Sequence, residues 1–161
     1  MTTLFIILTF INLLCLLCTA VLGYGASLTT SWSGYHQLAG ALATLCCCAV
    51  HCIVFTYFIA TAKWIQHAVS VKNLSVEYLE PTRSFRAQAF PAALLAMFAV
   101  FAAALIGVIT FSYRIHPIYH RVVSIAAIAI NVIVAWIEYR AICRNAKLID
   151  GILARINAPA V

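Results

Sequence analysis

The chain has 161 residues, of which 65% are hydrophobic and 9% are charged, and its mean hydropathy is +1.04. This composition excludes an ordinary soluble domain, because a chain of this size cannot bury so much apolar surface. The net charge of +6 does not indicate nucleic-acid binding. The basic residues stand at the ends of apolar runs, where they match anionic lipid headgroups.

Four apolar runs, at residues 4–23, 36–61, 89–112 and 118–138, are each long enough to cross about 30 Å of hydrocarbon. They predict a single domain over residues 1–161: an all-α integral membrane protein with four transmembrane helices in an up-down-up-down bundle. No positive region precedes the first run, so we expect a retained span rather than a secretory signal. Asn12 in that run should face the bundle, because an unpaired amide is costly in lipid.

The connections between the runs predict the topology. The first loop has no charged residue, whereas the second loop and the C-terminal tail carry eight of the ten lysines and arginines. By the positive-inside rule, both termini and the second loop lie on the cytoplasmic or matrix side of an inner or plasma membrane. Pro81 is expected to end the extension of the second helix, and Pro91 suits the first turn of the third.

The third run and the tail each carry a pattern of helical period. Ala99, Ala103 and Gly107 form a small-residue stripe, which predicts the main packing seam. In the tail, residues 139–157, apolar and basic side chains separate onto two faces, which predicts a C-terminal amphipathic helix on the membrane surface or docked on a partner. Glu138 is expected to pair with Arg140. The basic face, which would contact anionic lipid headgroups, consists of Arg140, Arg144, Lys147 and Arg155.

Three histidines are predicted to share the outer membrane surface, because the second and fourth helices run in the same direction. His36 begins the second helix, and His116 and His120 begin the fourth. In one interpretation they only bond to water or headgroups. In the other they bind a cofactor: His36 and His120 as the axial ligands of one haem b, or all three histidines around a copper or zinc ion.

The haem interpretation resembles membrane-embedded b-type cytochromes in one pattern, a four-helix bundle with histidines on two helices. That resemblance implies a single haem, because the fourth helix offers no histidine opposite His51; Asn131 and Trp136 are expected nearer its depth. His51 itself lies deep in the second span, between Cys48 and Cys52. An imidazole with soft sulfur ligands would suit a Cu(I) ion, and the alternative is structural cysteines with His51 hydrogen-bonded to a neighbouring helix.

The sequence favours a small membrane subunit or assembly partner of a larger complex, of the electron-transfer, respiratory type. It is not expected to be catalytic on its own, since no nucleophile–base motif is visible. The alternative is a small b-type cytochrome or metal-binding protein that uses the outer histidines. The expected partners are the lipid bilayer and other membrane subunits.

Overall fold

The computed structural model describes residues 1–157, and residues 158–161 of the predicted single domain lie outside the described residues. The described part is all-helical and contains no strand. Short 3-10 turns at Thr30–Trp32 and Val76–Tyr78 lie in two of the connections. The four long helices are α1 (Thr2–Leu28), α2 (Ser33–Val71), α3 (Leu79–Ser112) and α4 (Ile118–Asn157).

All four helices are long and apolar enough to span a membrane, which is compatible with a multi-pass membrane protein. Only 17% to 28% of the residues in the most apolar window of each helix are buried inside the bundle. Large apolar side chains such as Phe98 and Phe111 are about 70% exposed. Exposing this apolar surface to water would be unfavourable, whereas contact with the hydrocarbon of a membrane is favourable.

The helices form a four-cornered bundle. α1 packs against α2 and α4, and α3 packs against the same two helices, so α2 and α4 stand at opposite corners. Alanines allow α3 to approach its neighbours closely: Ala89, Ala93 and Ala96 are fully buried, and the predicted seam residue Ala103 is 8% exposed. Small residues at a helix interface allow close packing where apolar burial alone gives little preference over lipid.

The end of α2 and the end of α3 are built alike. Asn73 and Arg114 each follow a helix with a positive φ, of 49° and 54°. In each case the next residue donates its N–H to a carbonyl five residues back, Leu74 to Val69 and Ile115 to Thr110. These left-handed residues satisfy carbonyls that the helix end would leave unpaired, and they end the helix sharply.

Three predictions about helix boundaries are wrong. Pro81 does not end the second helix, because α2 already ends at Val71 and Pro81 belongs to α3. Pro91 lies inside α3 rather than in its first turn, because the helix already begins at Leu79 and Pro81 stands in its first turn. Residues 139–157 are not a separate helix, because they continue α4, which has 40 residues. Ile142 and Ile152 of this segment are fully buried, and Ile152 packs against Ile65 of α2. The apolar face of the tail is therefore covered by the chain's own α2.

Candidate functional site

His36 and His120 face each other across the bundle, one from α2 and one from α4. Their ring centroids are 5.8 Å apart and the ring planes meet at 65°. Nδ1 of His36 lies 3.0 Å from the carbonyl oxygen of Thr19 in α1, and Nδ1 of His120 lies 3.1 Å from that of Ala103 in α3. The structure thus brings together the two histidines that the sequence selected as a pair, and we call this the histidine end of the bundle.

The carbonyl bonds decide which nitrogen of each ring is available. A carbonyl oxygen can only accept, so Nδ1 of each ring carries a hydrogen, and in the neutral ring Nε2 carries the lone pair. Neither Nε2 has a protein hydrogen-bond partner in the described residues. Metal-binding histidines typically have this arrangement, in which one nitrogen donates to a carbonyl and the other is held ready as a ligand.

Each imidazole lies against a glycine of the neighbouring helix. A Cβ atom at Gly23 would stand 2.8 Å from Cε1 of His36, and a Cβ at Gly107 would stand 2.9 Å from Cε1 of His120. These separations are closer than nonbonded carbon atoms approach. Only glycine therefore permits the observed ring positions. Gly107, a residue of the predicted packing seam, leaves the space that the ring of His120 occupies.

The two halves of the histidine end are related by an internal repeat with an offset of 84 residues, which the sequence prediction missed. In each half the carbonyl residue, the glycine four residues later and the histidine seventeen residues after the carbonyl play the same parts. An ungapped comparison of the halves reveals the repeat from the sequence alone. The identical pairs include Ala20/Ala104, Gly23/Gly107, Tyr35/Tyr119, His36/His120, Ala43/Ala127, Val50/Val134, Ala62/Ala146, Lys63/Lys147 and Ile65/Ile149.

Residues at equivalent positions touch each other at three levels along α2 and α4. The first level is the histidine pair. At the second, Cys47 donates to Asn131 at 3.3 Å, and at the third, Asn145 donates to Thr61 at 3.0 Å. Only residues near a pseudo-twofold axis can meet their own equivalents, so this axis runs along the centre of the bundle. Asn12 joins the second level through a 3.4 Å bond to Asn131, which confirms that its amide faces the bundle.

One buried layer departs from the repeat and corrects two predictions. Glu138 does not pair with Arg140, because its Oε1 lies 2.8 Å from Nδ1 of His51. The residue opposite His51 on α4 is therefore Glu138, not Asn131 or Trp136. Both side chains are nearly inaccessible, with 2% and 1% exposure. The sequence prediction placed Glu138 at the end of the fourth span, where the continuation of α4 and α2 in fact encloses it.

The remaining predicted ligands are not gathered into one site. His116 is exposed, stands before α4, and its Nδ1 accepts the N–H of Ile118 at 3.3 Å. Cys52 is exposed, and Cys48 lines an apolar groove against α3. Within residues 1–157, no group of three or more histidine, cysteine or acidic side chains is close enough to hold a metal ion.

A basic cavity of about 170 Å³ lies between α3 and α4, far from the histidine end. It is lined by Gln88, Trp136, Ile137, Arg140 and Arg144. The two arginines are exposed and, among the described residues, form no ion pair. Comparison with known proteins gives no further guide: no protein-family model, curated protein or solved structure matches the chain.

Proposed function

We propose that the protein is a small membrane-embedded electron-transfer protein that binds one haem b between His36 and His120, within a larger membrane complex. The observation that carries this proposal is the symmetric pair of imidazoles, each fixed through Nδ1 to a carbonyl of the adjacent helix. His36 and His120, from opposite corners of the bundle, would hold the haem between them, since the cores of four-helix bundles are where facing helices supply such ligands.

The spacing of the rings fits two nitrogens on one metal. The ring centroids of His36 and His120 are 5.8 Å apart, so these two imidazoles would be the protein groups that hold a metal between them. A bare zinc or copper(II) ion would prefer further protein ligands, which the described residues do not assemble here. Haem brings four nitrogens of its own and needs only two from the protein.

The chain's own residues would do three things for such a haem. The carbonyls of Thr19 and Ala103 orient the imidazoles through Nδ1 and leave Nε2 of each ring without a protein partner among the described residues. Gly23 and Gly107 let the rings sit against α1 and α3. When bound, the haem supplies reversible one-electron chemistry, and the two fixed imidazoles limit the reorganisation that accompanies each transfer.

We propose that this site lies at the outer membrane surface. The bond between Thr19 and His36 at one end, and the packing of Phe5 with Val54 at the other, support antiparallel neighbouring helices and hence an up-down-up-down bundle. Only Arg114 and Arg121 lie near the histidine end, and the other eight basic residues lie towards the opposite end. The positive-inside rule then favours both termini on the cytoplasmic or matrix side.

An optical difference spectrum of the purified, haem-supplemented protein tests the proposal. We expect the reduced-minus-oxidised bands of a six-coordinate b-type haem, lost equally in His36→Ala and His120→Ala because the two positions are equivalent. His116→Ala is the matched control, since that ring only caps α4, and it should keep the bands. A haem spectrum unchanged by both substitutions, or a stoichiometric copper ion held by both histidines without haem, would overturn the haem assignment.

The second half of the proposal is that the chain works as a subunit. The described residues form no domain outside the bundle, so electrons must come from and go to other proteins or membrane-soluble carriers. Native electrophoresis of gently solubilised membranes should place the haem-containing chain in an assembly well above its own mass of 17.6 kDa. A haem-loaded monomer in its native membrane would contradict the subunit role while leaving the haem site intact.

We also propose that the basic cavity between α3 and α4 binds an anionic lipid headgroup on the inner side. Arg140 and Arg144 are one helical turn apart, and Trp136, one turn before Arg140, is typical of the membrane interface. Phosphatidylglycerol should bind more tightly than phosphatidylcholine in native mass spectrometry. Arg140→Gln with Arg144→Gln should remove that preference, and the equal charge change at Lys147 and Arg155 should not. Equal losses in both double variants would contradict a specific site.

A further inference from the structure

The His51–Glu138 pair is a buried polar contact that the haem proposal does not use. Nδ1 of His51 and Oε1 of Glu138 are 2.8 Å apart, and the other two polar atoms, His51 Nε2 and Glu138 Oε2, are buried without a hydrogen-bond partner among the described residues. Burying such groups in a membrane protein is costly unless each polar atom is satisfied. The stability of the bundle alone therefore does not explain why His51 and Glu138 are buried here.

The repeat shows what the fold itself needs at these positions. The residue equivalent to Glu138 is Val54, which is fully buried, and the residue equivalent to His51 is Ala135. Aliphatic residues thus occupy the two equivalent positions in the other half of the bundle. Helix packing does not require an acid and a base here, and their presence in one half calls for a chemical explanation.

Several other titratable groups lie near this layer. α1 contributes Phe5, and α3 contributes Phe85 and Ala89, which pack with Val54 and Phe58 in one cluster. On α2 the titratable groups are the buried thiol of Cys47 and the half-buried thiol of Cys48, each about one turn before His51, the exposed Cys52 next to it, and the half-buried Tyr57. The others are the half-buried Arg86 of α3 and, on α4, Tyr139 and the exposed Arg140. None of these forms an ion pair or hydrogen bond with His51 or Glu138.

We propose that His51 and Glu138 form a buried acid–base centre that binds and releases one proton. In the proton-free form, neutral His51 donates its Nδ1 hydrogen to the Glu138 carboxylate, and the pair carries one negative charge. The arriving proton bonds to the free Nε2 lone pair of His51, which makes the pair an imidazolium and a carboxylate with no net charge. The geometry leaves this nitrogen free to accept it. The bonds made and broken balance without any other reactant.

This inference does not depend on haem. The third polar level, Thr61 with Asn145, lies beyond the pair in the direction away from the histidine end. A proton would therefore exchange with the side of the membrane opposite His36 and His120, provided that the bundle opens briefly along α2 and α4. Electron transfer at one end and proton binding at the other would be properties of separate sites in one bundle.

The repeat itself supplies the test variant, His51→Ala with Glu138→Val, which gives both halves the same residues. Proton binding to the purified protein in detergent should be measured by potentiometric titration between about pH 5 and 9, the range around the ordinary histidine pKa. The wild type should bind one more proton across this range than the double variant. His67→Ala is the matched control for an ordinary exposed histidine.

A measurement on the wild type keeps the proposal testable if the double variant does not fold. Nitrogen NMR of ring-labelled histidine should show the Nε2 signal of His51 moving with pH between the neutral and the protonated form, while Nδ1 keeps its hydrogen throughout. A His51 ring that stays in one form across this range would overturn the acid–base centre. So would a double variant that folds and binds as many protons as the wild type.

Discussion

The two halves of the chain agree at the histidine end and differ at the His51–Glu138 layer. At the histidine end each half supplies the same carbonyl, glycine and histidine, with ring-to-carbonyl distances of 3.0 and 3.1 Å. At the other layer one half supplies His51 and Val54, and the other supplies Ala135 and Glu138. The histidine end is therefore built from residues that both halves share, whereas the His51–Glu138 pair occurs once. This difference indicates two sites of different chemistry.

The largest effect is expected when one partner of the asymmetric layer is removed. Glu138→Val alone leaves His51 buried without a partner and should lower the free energy of unfolding by about 3–5 kcal/mol, measured by denaturant titration in detergent. Adding His51→Ala should recover more than half of that loss, and the remainder reflects the volume lost at position 51. A single variant that costs less than the double variant would show that the two side chains are not paired.

Substitutions at Gly23 and Gly107 test whether the two halves of the histidine end contribute equally to stability as well as having the same geometry. Gly23→Ala and Gly107→Ala each place a Cβ within 2.9 Å of an imidazole, so each ring must shift. Both should destabilise the bundle by about 1–3 kcal/mol and weaken cofactor binding to a similar extent. Gly34→Ala and Gly151→Ala, which meet no atom within 4 Å, should be neutral or slightly stabilising. Unequal losses of stability or cofactor binding at Gly23 and Gly107 would contradict the equivalence of the two halves.

The polar levels on the axis should differ according to the number of hydrogen bonds that each asparagine makes. Asn131 bonds to Asn12, Cys47 and two backbone carbonyls in the buried centre, so Asn131→Ala should cost about 1–3 kcal/mol. Asn145→Ala removes one bond to the half-buried Thr61 and should cost about 1 kcal/mol. The same unfolding titration compares them, and a larger loss at Asn145 would reverse the expected order.

The smallest effect concerns the two helix ends that share a left-handed residue. Arg114 has a φ of 54°, a conformation that costs a non-glycine residue about 1 kcal/mol. Arg114→Gly should therefore stabilise the protein by about that amount, seen as a higher melting temperature. Asn73→Gly should gain less, because asparagine tolerates this conformation better. An equal gain at both positions would show that the turns do not carry the strain.

Features that depend on neighbouring residues could be predicted from the sequence, whereas several that depend on contacts between distant helices could not. Hydropathy predicted four helices, and the amide cost in lipid predicted that Asn12 faces inward. The ends of the helices were predicted wrongly where tertiary packing outweighs the local sequence preference. α3 begins well before Pro91, because Thr82 and Phe85, which precede that proline, are buried in the bundle. The His36–His120 pairing followed from helix direction alone. The His51–Glu138 pair did not, because it requires knowing that α2 and α4 both continue past the predicted spans and still face each other across the centre of the bundle.

The link between α2 and α3, residues 72–78, has a consequence for what this bundle can do. Two separate copies of one hairpin, related by a true twofold axis, would have to place the same residue on both sides, so an acid could face its partner only if a base also appeared twice. Joining the hairpins in one polypeptide frees each side to change by itself. A lone carboxylate can then meet a lone imidazole, while the residues that must match at the opposite end stay matched.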